Sequence, residues 1–178
     1  KVMKFGGTSV GKPERMHHIV SLVSKETEPA IVVLSALSGT TNALVEIGGH
    51  LAKGERDSAR QCIDKLEAHY RDFVDKLVQK PEAVEKASAI VSEHFEFLNI
   101  ILKISFSEAL SKDILAQGEL LSTKLFCTYL GEQGIDHVLL PALEFMTIDS
   151  YDEPQIGSIK VKLTQLLQQH GSKKIFVT

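Results

Sequence analysis

The run AIVVLSAL at 30–37 is the feature that most constrains the fold of this chain. It is apolar almost throughout and rich in β-branched residues, without the alternation that marks a half-exposed strand. Such runs are typical of strands that are buried on both faces of a parallel sheet. Parallel strands need crossover connections, which are usually helices. The run, which Gly39 ends, therefore predicts a fold of the α/β class.

Segments on either side of this run predict alternating strands and helices. Short apolar runs predict three more strands, at 2–5, 137–142 and 173–178. Apolar residues at helical spacing predict helices over 13–27, after Gly39, over 113–132 and over 157–170. Pro13 suits the first turn of the first helix. The order of these elements predicts a layered α/β fold with a mainly parallel sheet.

A long segment at about 55–103 has helical periodicity, with an interruption at Pro81. Apolar residues form one stripe before the proline and a second stripe after it. We interpret the segment as a helical hairpin that caps one edge of the domain, with a solvated charged face. The length of 178 residues predicts one domain, or one domain and part of another. Because the last predicted strand runs to residue 178, a truncated fold is expected.

The composition argues against several classes of function. The net charge of −3 and the pI of about 6.2 argue against a nucleic-acid-binding surface, which needs a basic patch. No apolar run approaches the roughly 20 residues of a membrane span. The first residues do not form a signal segment, so a cytoplasmic location and no membrane partner are expected.

Metal and redox chemistry also find little support in the sequence. Cys62 and Cys127 lie far apart in helical segments and are interpreted as small buried hydrophobic residues. No cluster of His, Cys and acidic residues with zinc spacing is evident, and His17 and His18 point to different faces of a helix. No metal ligand is therefore predicted.

The stretch KFGGTSVGKP at 4–13 is close to a P-loop, with Gly6, Gly11 and Lys12 at the required spacing. Pro13 stands where a P-loop has Ser or Thr. Proline supplies no hydroxyl for Mg²⁺ and no amide hydrogen, so a P-loop is disfavoured. The dinucleotide pattern G-x-G-x-x-G is absent as well.

The other end of this stretch offers a different phosphate site. Lys4 is predicted to lie near the carboxyl end of a strand, where open α/β folds bind ligands. Gly6 and Gly7 allow the backbone to pass close to a ligand, and Thr8 and Ser9 offer hydroxyls and amides to an anion. A surface lysine followed by an ordinary turn explains the same residues equally well.

A second polar loop, SALSGTTN at 35–42, leaves the carboxyl end of the central strand. If the two strands are neighbours, both loops open onto the same edge of the sheet. Thr40 or Thr41 could instead only cap the next helix. Capping and ligand contact are compatible, so two such loops favour a binding site at this edge.

Three motifs together resemble the aspartokinases, a group within the amino acid kinase family. They are KFGGTSVG at 4–11, VVLSALSGTTN at 32–42, and GELLST at 118–123 followed by YLGEQGI. They occur in the order found in aspartokinases, with a long helical segment between the second and third, as in the lysine-sensitive and bifunctional subclasses. The resemblance covers essentially the whole chain.

This resemblance implies a three-layer αβα sandwich and a specific reaction. The ATP γ-phosphoryl group would pass, with Mg²⁺, to the side-chain carboxylate of L-aspartate, the first step towards lysine, threonine and methionine. Lys4 and Glu119 would be catalytic, and the full-length protein would be a homodimer or a higher homo-oligomer. The ATP phosphates would contact Lys4, Phe5, Gly6, Gly7, Thr8 and Ser9, and aspartate would contact Ser35, Thr41 and Glu119.

The residue types suit this chemistry. A carboxylate acceptor with a pKa near 3.9 is already ionised at pH 7, so no general base is required. Phosphoryl transfer needs positioning and neutralisation of negative charge, which the ammonium of Lys4 and backbone amides supply. Glu119 is best interpreted as a partner for the substrate ammonium or as an orienting group. Without the resemblance it would be interpreted as a surface glutamate on an amphipathic helix.

The resemblance also implies that part of the active site is missing. Aspartokinases carry a GRGGSD-like segment, the adenine pocket and ACT regulatory domains beyond the strand that ends here, so we expect this chain alone to be inactive. Two alternatives remain open. One is an amino acid kinase for acetylglutamate, glutamate, carbamate or UMP, and the other is a non-catalytic module that assembles through 55–103.

Overall fold

The computed structural model describes all residues 1–178 and contains one sheet of four parallel strands. The strand order is β1-β2-β4-β3. Strand β2 pairs with β1 on one side and with β4 on the other, which confirms the parallel sheet predicted from its apolar run. The strands are β1 Val2–Phe5, β2 Ala30–Leu34, β3 His137–Leu139 and β4 Ile175–Val177.

Eight helices connect and cover these strands. They are α1 Gly7–Val10, α2 Pro13–Val23, α3 Thr40–Ala52, α4 Arg56–Leu77, α5 Pro81–Ile101, α6 Glu108–Glu132, α7 Ala142–Phe145 and α8 Ile156–Gln169. No helix combines the length and apolar character needed to cross a bilayer.

Some boundaries differ from those predicted. The short helices α1 and α7 were not expected, because one turn carries no periodic signal. Helix α6 begins at Glu108 instead of 113, since the Ser107 hydroxyl caps it by accepting a hydrogen bond of 3.2 Å from the Leu110 amide. Strand β3 ends at Leu139 instead of 142, just before Pro141, which has no amide hydrogen for a strand partner.

Helices lie on both faces of the sheet, which confirms the αβα arrangement. The larger core buries Val32, Leu34, Ile175 and Val177 against the helices of one face. Helix α4 packs on α5, which forms the hairpin, and also on α3 and α2, while α5 packs on α6. The predicted hairpin is therefore confirmed, but it forms an outer layer over other helices rather than a cap on a sheet edge.

The opposite face of the sheet is covered over β3 and β4. There Leu140, Phe145 and Phe176 form a small core against apolar residues of α8. Over β1 the same face is open, since Val2 and Lys4 alternate with the partly buried Met3 and Phe5 and are exposed. Lys4 therefore lies at the end of β1 on an open part of the sheet.

A buried polar network joins the hairpin to α6. The Nδ1–H of His94 donates to Gln117 Oε1 at 2.6 Å, and the Lys124 ammonium donates to His94 Nε2 at 2.9 Å. This arrangement requires a neutral imidazole, because Nε2 acts as an acceptor. Burial lowers the pKa of His94, and the charge of Lys124 lowers it further.

This network predicts a pH-dependent stability. In the unfolded chain His94 takes up a proton below its ordinary pKa of 6.5, whereas the folded protein resists protonation. The network with neutral His94 therefore contributes to the free energy of unfolding above pH 6.5, and this contribution is lost as the pH falls below 6.5. We expect His94→Gln to flatten the decline in the urea midpoint between about pH 7 and pH 5. His18→Gln, at an exposed position, is the control, and an unchanged decline in the His94 variant would contradict the assignment.

Candidate active site

The loop at 35–39, between β2 and α3, is the point where the three sequence motifs meet. A Cβ atom on Gly7 would lie 3.0 Å from the carbonyl oxygen of Ala36, and one on Gly11 would lie 2.6 Å from Cβ of Ser38. A Cβ atom on Gly118 would lie 2.7 Å from Cβ of Ala36. These glycines belong to the first and third motifs, so the absence of side chains allows both motifs to approach the loop of the second.

A cleft of about 420 Å³ opens at this meeting point, at the carboxyl ends of β1 and β2. Five of the predicted site residues line it: Gly7, Thr8, Ser35, Thr41 and Glu119. Glu119 is exposed on α6 and is the only acidic residue of the lining. The structure thus brings the predicted aspartate-contacting residues together with part of the predicted phosphate loop.

The other predicted phosphate contacts lie outside the lining of this cleft. The Phe5 side chain packs against the large core, so only its backbone could meet a phosphate. Phe5, Thr8 and Ser9 border a second cavity of about 450 Å³ beside α2. Gly6 is open, since a Cβ atom there would have no neighbour within 4 Å.

Lys4 lies near the carboxyl end of β1 and is not part of the lining of the cleft. Phe5, the next residue, accepts a hydrogen bond of 3.1 Å from the Ser35 amide, which ties the two loops together. The Lys4 side chain is exposed and forms no ion pair within the chain. Its ammonium is therefore an uncompensated positive charge at the carboxyl edge of the sheet.

Hydrogen bonds within the short helix α1 leave only some backbone amides of the first motif free to bind an anion. The amides of Ser9 and Val10 both donate to the carbonyl oxygen of Gly6, at 2.8 and 3.2 Å. The amides of Gly7 and Thr8 are the first in the helix and have no acceptor inside it. The Ser9 amide, which was expected to contact an anion, thus already donates its hydrogen bond within the helix. The amides of Gly7 and Thr8 are the better donors to an anion.

Tyr70 fixes the start of α3 beneath the cleft. Its hydroxyl and the Thr40 hydroxyl are 3.0 Å apart, and both side chains are buried. Burial raises the pKa of Tyr70, and the negative charge of Glu119 raises it further, so the phenol stays neutral. With Thr40 held inward, Thr41 is exposed towards the cleft. The sequence did not single out Tyr70, because it lies in an ordinary apolar stripe of α4.

A larger cavity of about 700 Å³ adjoins the cleft between α3 and α4. It contains Glu46, His50 and Cys62, whose ligand atoms lie within 4.8 Å of one another. The spacing of residues in the sequence did not indicate this group, because Cys62 comes from a different helix. Cys62 is only partly buried, whereas Cys127 is buried as predicted.

Comparison with known proteins identifies the family. The model of the amino acid kinase family matches residues 1–178. The bifunctional aspartokinase/homoserine dehydrogenase 2 of Escherichia coli (strain K12) is 30% identical over 178 residues, which cover 98% of this chain and 22% of that protein. The lysine-sensitive aspartokinase 3 of the same organism is 31% identical over 136 residues, which cover 75% of this chain and 29% of that protein.

Solved structures show the same likeness. The crystal structure of E. coli aspartokinase III in complex with aspartate and ADP matches with a TM-score of 0.79 and 26% identity. The match covers 99% of this chain and 39% of that chain. The present chain therefore spans well under half the length of these relatives. With the fold, the three converging motifs and the family match in agreement, this chain belongs to the amino acid kinase family.

Proposed function

We propose that this chain is part of an aspartate kinase, which transfers the γ-phosphoryl group of ATP to the side-chain carboxylate of L-aspartate and yields 4-phospho-L-aspartate. The observation that carries this proposal is the convergence of Gly7, Thr8, Ser35, Thr41 and Glu119 on one cleft. The cleft lies at the carboxyl edge of a parallel sheet, where such folds bind ligands. The aspartokinase relatives support the choice of substrate.

In this proposal Lys4 neutralises charge on the transferring phosphoryl group. Its ammonium has no ion pair in the chain, so it is free to meet an anion. Gly6 leaves the adjacent backbone open, and the free amides of Gly7 and Thr8 can donate hydrogen bonds to the same anion. Because the acceptor carboxylate is already ionised, these groups need only position and neutralise charge.

The lining of the cleft is suited to an amino acid. The Thr41 and Ser35 hydroxyls can donate hydrogen bonds to a carboxylate, and the Glu119 carboxylate can accept from a substrate ammonium. Glu119 then acts by orienting the substrate and not as a base. The combination of hydroxyl donors with a single negative charge matches a zwitterionic substrate.

ATP and Mg²⁺ belong to the proposal as the phosphoryl donor and its counterion. Magnesium in kinase sites is usually held by one or two carboxylates together with substrate phosphates. The one carboxylate of the cleft, Glu119, is assigned to the substrate ammonium, so the residues present fit a magnesium ion that the nucleotide itself holds. When bound, the ion neutralises the β- and γ-phosphate oxygens.

The test is release of ADP in a coupled assay. A full-length protein that contains this chain should release ADP with L-aspartate and not with acetylglutamate, glutamate, carbamate or UMP. The 178-residue chain alone should show no turnover, because it covers only 39% of the aspartokinase III chain. A preference for another phosphoryl acceptor would overturn the assignment of aspartate as the substrate. Turnover by the 178-residue chain would contradict the expectation that part of the active site is missing from it.

Thr41 provides a separate test of this lining. We expect Thr41→Ala in the full-length protein to raise the KM for aspartate by roughly tenfold, the equivalent of one hydrogen bond to a charged group. Its effect on kcat should be smaller. Thr27→Ala, an exposed threonine in the loop before β2, is the control. Aspartate saturation that is unchanged by Thr41→Ala would remove this residue from the pocket.

Assembly and location remain predictions of the same proposal. We propose a cytoplasmic homodimer or higher homo-oligomer that acts in amino-acid biosynthesis. The apolar stripes of α4 and α5 are buried inside the chain, at residues such as Tyr70, Phe73 and Phe95. Those stripes are therefore not available for contacts between subunits. Light scattering of the full-length protein measures its oligomeric state directly.

A further inference from the structure

The cavity between α3 and α4 contains a cluster of side chains that the proposed reaction does not use. Glu46 and His50 lie one turn apart on α3, and Cys62 faces them from α4. One ligand atom from each of the three lies within 4.8 Å of the others, and Glu46 Oε1 is 3.8 Å from His50 Nε2. The cluster thus joins a carboxylate, an imidazole and a thiol from two helices.

A second, independent observation concerns the orientation of His50. Its Nδ1 lies 2.6 Å from the carboxylate of Glu55, which follows the turn at the end of α3. Nδ1 therefore carries the proton, and Nε2 is left as the free ring nitrogen facing Glu46. Metal-bound histidines commonly have this arrangement, in which a carboxylate orients the ring and makes it a stronger ligand.

We propose that Glu46, His50 and Cys62 form a binding site for a borderline-soft divalent cation, best matched by Zn²⁺, that links α3 to α4. Zinc accepts oxygen, nitrogen and sulfur ligands together in a tetrahedral site, whereas Mg²⁺ and Ca²⁺ prefer oxygen ligands. Three protein ligands leave the fourth position open to the cavity. The proposal does not depend on the kinase assignment.

The geometry is close to what zinc needs. Zinc–ligand bonds of about 2.0–2.3 Å place tetrahedral ligand atoms roughly 3.3–3.8 Å apart. The pair Glu46–His50 already has this spacing, and the widest separation must close by about 1 Å. The Glu46 side chain is 62% exposed, so its rotation can supply that change without repacking the core.

The charges of the cavity also favour a cation. Binding releases the Cys62 thiol proton to solvent, and the thiolate then joins the carboxylates of Glu46 and Glu55. The opposing charges are the ammonium groups of Lys65, an exposed side chain on the cavity wall, and of Lys53, which acts on Glu55. Before the charge of the metal is counted, the three negative groups outnumber these two lysines, so the site favours a cation.

Cobalt(II) and zinc titrations of the purified protein, treated with a chelator beforehand, test the proposal. We expect one equivalent of Co²⁺ to produce a thiolate-to-cobalt charge-transfer band and the visible bands of a four-coordinate ion, and Zn²⁺ to displace both. Cys62→Ser should abolish the charge-transfer band, and His50→Gln should weaken zinc binding at least tenfold. Glu55→Gln should retain the band and weaken binding by about 10- to 100-fold.

Two control variants make the result specific. His69→Gln changes an exposed histidine of the same cavity that lies outside the cluster, and it should leave zinc affinity unchanged. Cys127→Ala removes the other thiol of residues 1–178, and the cobalt band should persist. Loss of the band in Cys127→Ala, or its persistence in Cys62→Ser, would overturn the site.

A measurement on the unaltered protein covers the case in which a variant fails to fold. Zn²⁺ should slow alkylation of Cys62 by iodoacetamide, as read by mass spectrometry of the peptide that contains it, while Mg²⁺ should have no effect. Far-ultraviolet circular dichroism checks that the protein is folded throughout. Equal alkylation with and without zinc, or equal protection by magnesium, would contradict the proposal.

Discussion

Replacing Lys4 with alanine in a full-length protein that contains this chain is expected to lower kcat by roughly 10³-fold or more, with a much smaller change in the KM for aspartate. Single groups that stabilise transition-state charge contribute about 10²–10³ in kcat, and arginine fingers in phosphoryl transfer contribute about 10³–10⁵. Lys4 supplies the same kind of charge at the end of β1. Steady-state kinetics with varied aspartate and ATP measure both parameters.

Lys12 provides the matched control for this experiment. It occupies the lysine position of the incomplete P-loop, but in the structure it is exposed and immediately precedes Pro13 at the start of α2. Lys12→Ala should therefore leave kcat near its original value. Both substitutions are at exposed positions and should change stability by no more than about 0.5 kcal/mol. A near-normal kcat in Lys4→Ala would contradict the catalytic role of Lys4. A large loss of kcat in Lys12→Ala would show that Lys12 takes part in the reaction.

Substituting Gly118 with alanine is expected to destabilise the protein by about 1–3 kcal/mol, the range for overpacking a close contact. The added methyl group would lie 2.7 Å from Cβ of Ala36 and 3.3 Å from Cγ2 of Thr40. Helix α6 must then move away from the loop at 35–39, and Glu119 moves with it. We therefore also expect a higher KM for aspartate in the full-length protein.

The control for this variant is Gly49, which lies in α3 with nothing within 4 Å of a Cβ atom. Gly49→Ala should stabilise the protein by about 0.5–1 kcal/mol, since alanine is the better helix former. Urea unfolding of the two variants at one pH measures the difference. If Gly118→Ala were as stabilising as Gly49→Ala, the close approach of α6 to the loop would be wrong.

Much of the fold was predictable from local patterns. The apolar run at 30–37 predicted a strand of a parallel sheet that is covered on both faces, because a strand without polar alternation must be buried on both faces. The periodicity of 55–103 predicted two helices with a boundary at Pro81. The position of β4 between β2 and β3 was not predictable, because strand order depends on contacts between residues more than 100 positions apart along the chain.

The candidate site was predictable to a smaller extent. The loops after β1 and β2 were expected to share an edge of the sheet if their strands were neighbours, and they are neighbours. Glu119 lies in the interior of a helix, and the resemblance pointed to it, with some support from Gly118 beside it, since glycine is unfavourable inside a helix. The structure supplies the physical reason for its place, which is the missing side chain at Gly118.

The sequence by itself determined which segments form buried strands and amphipathic helices, and which glycine-containing loops leave those strands. These properties follow from side-chain chemistry at neighbouring positions. Only the tertiary structure decided which distant groups meet: Thr40 with Tyr70, His94 with Lys124, and Cys62 with His50. Each pair joins two helices whose relative positions depend on packing of the whole core, and no local pattern encodes such a contact.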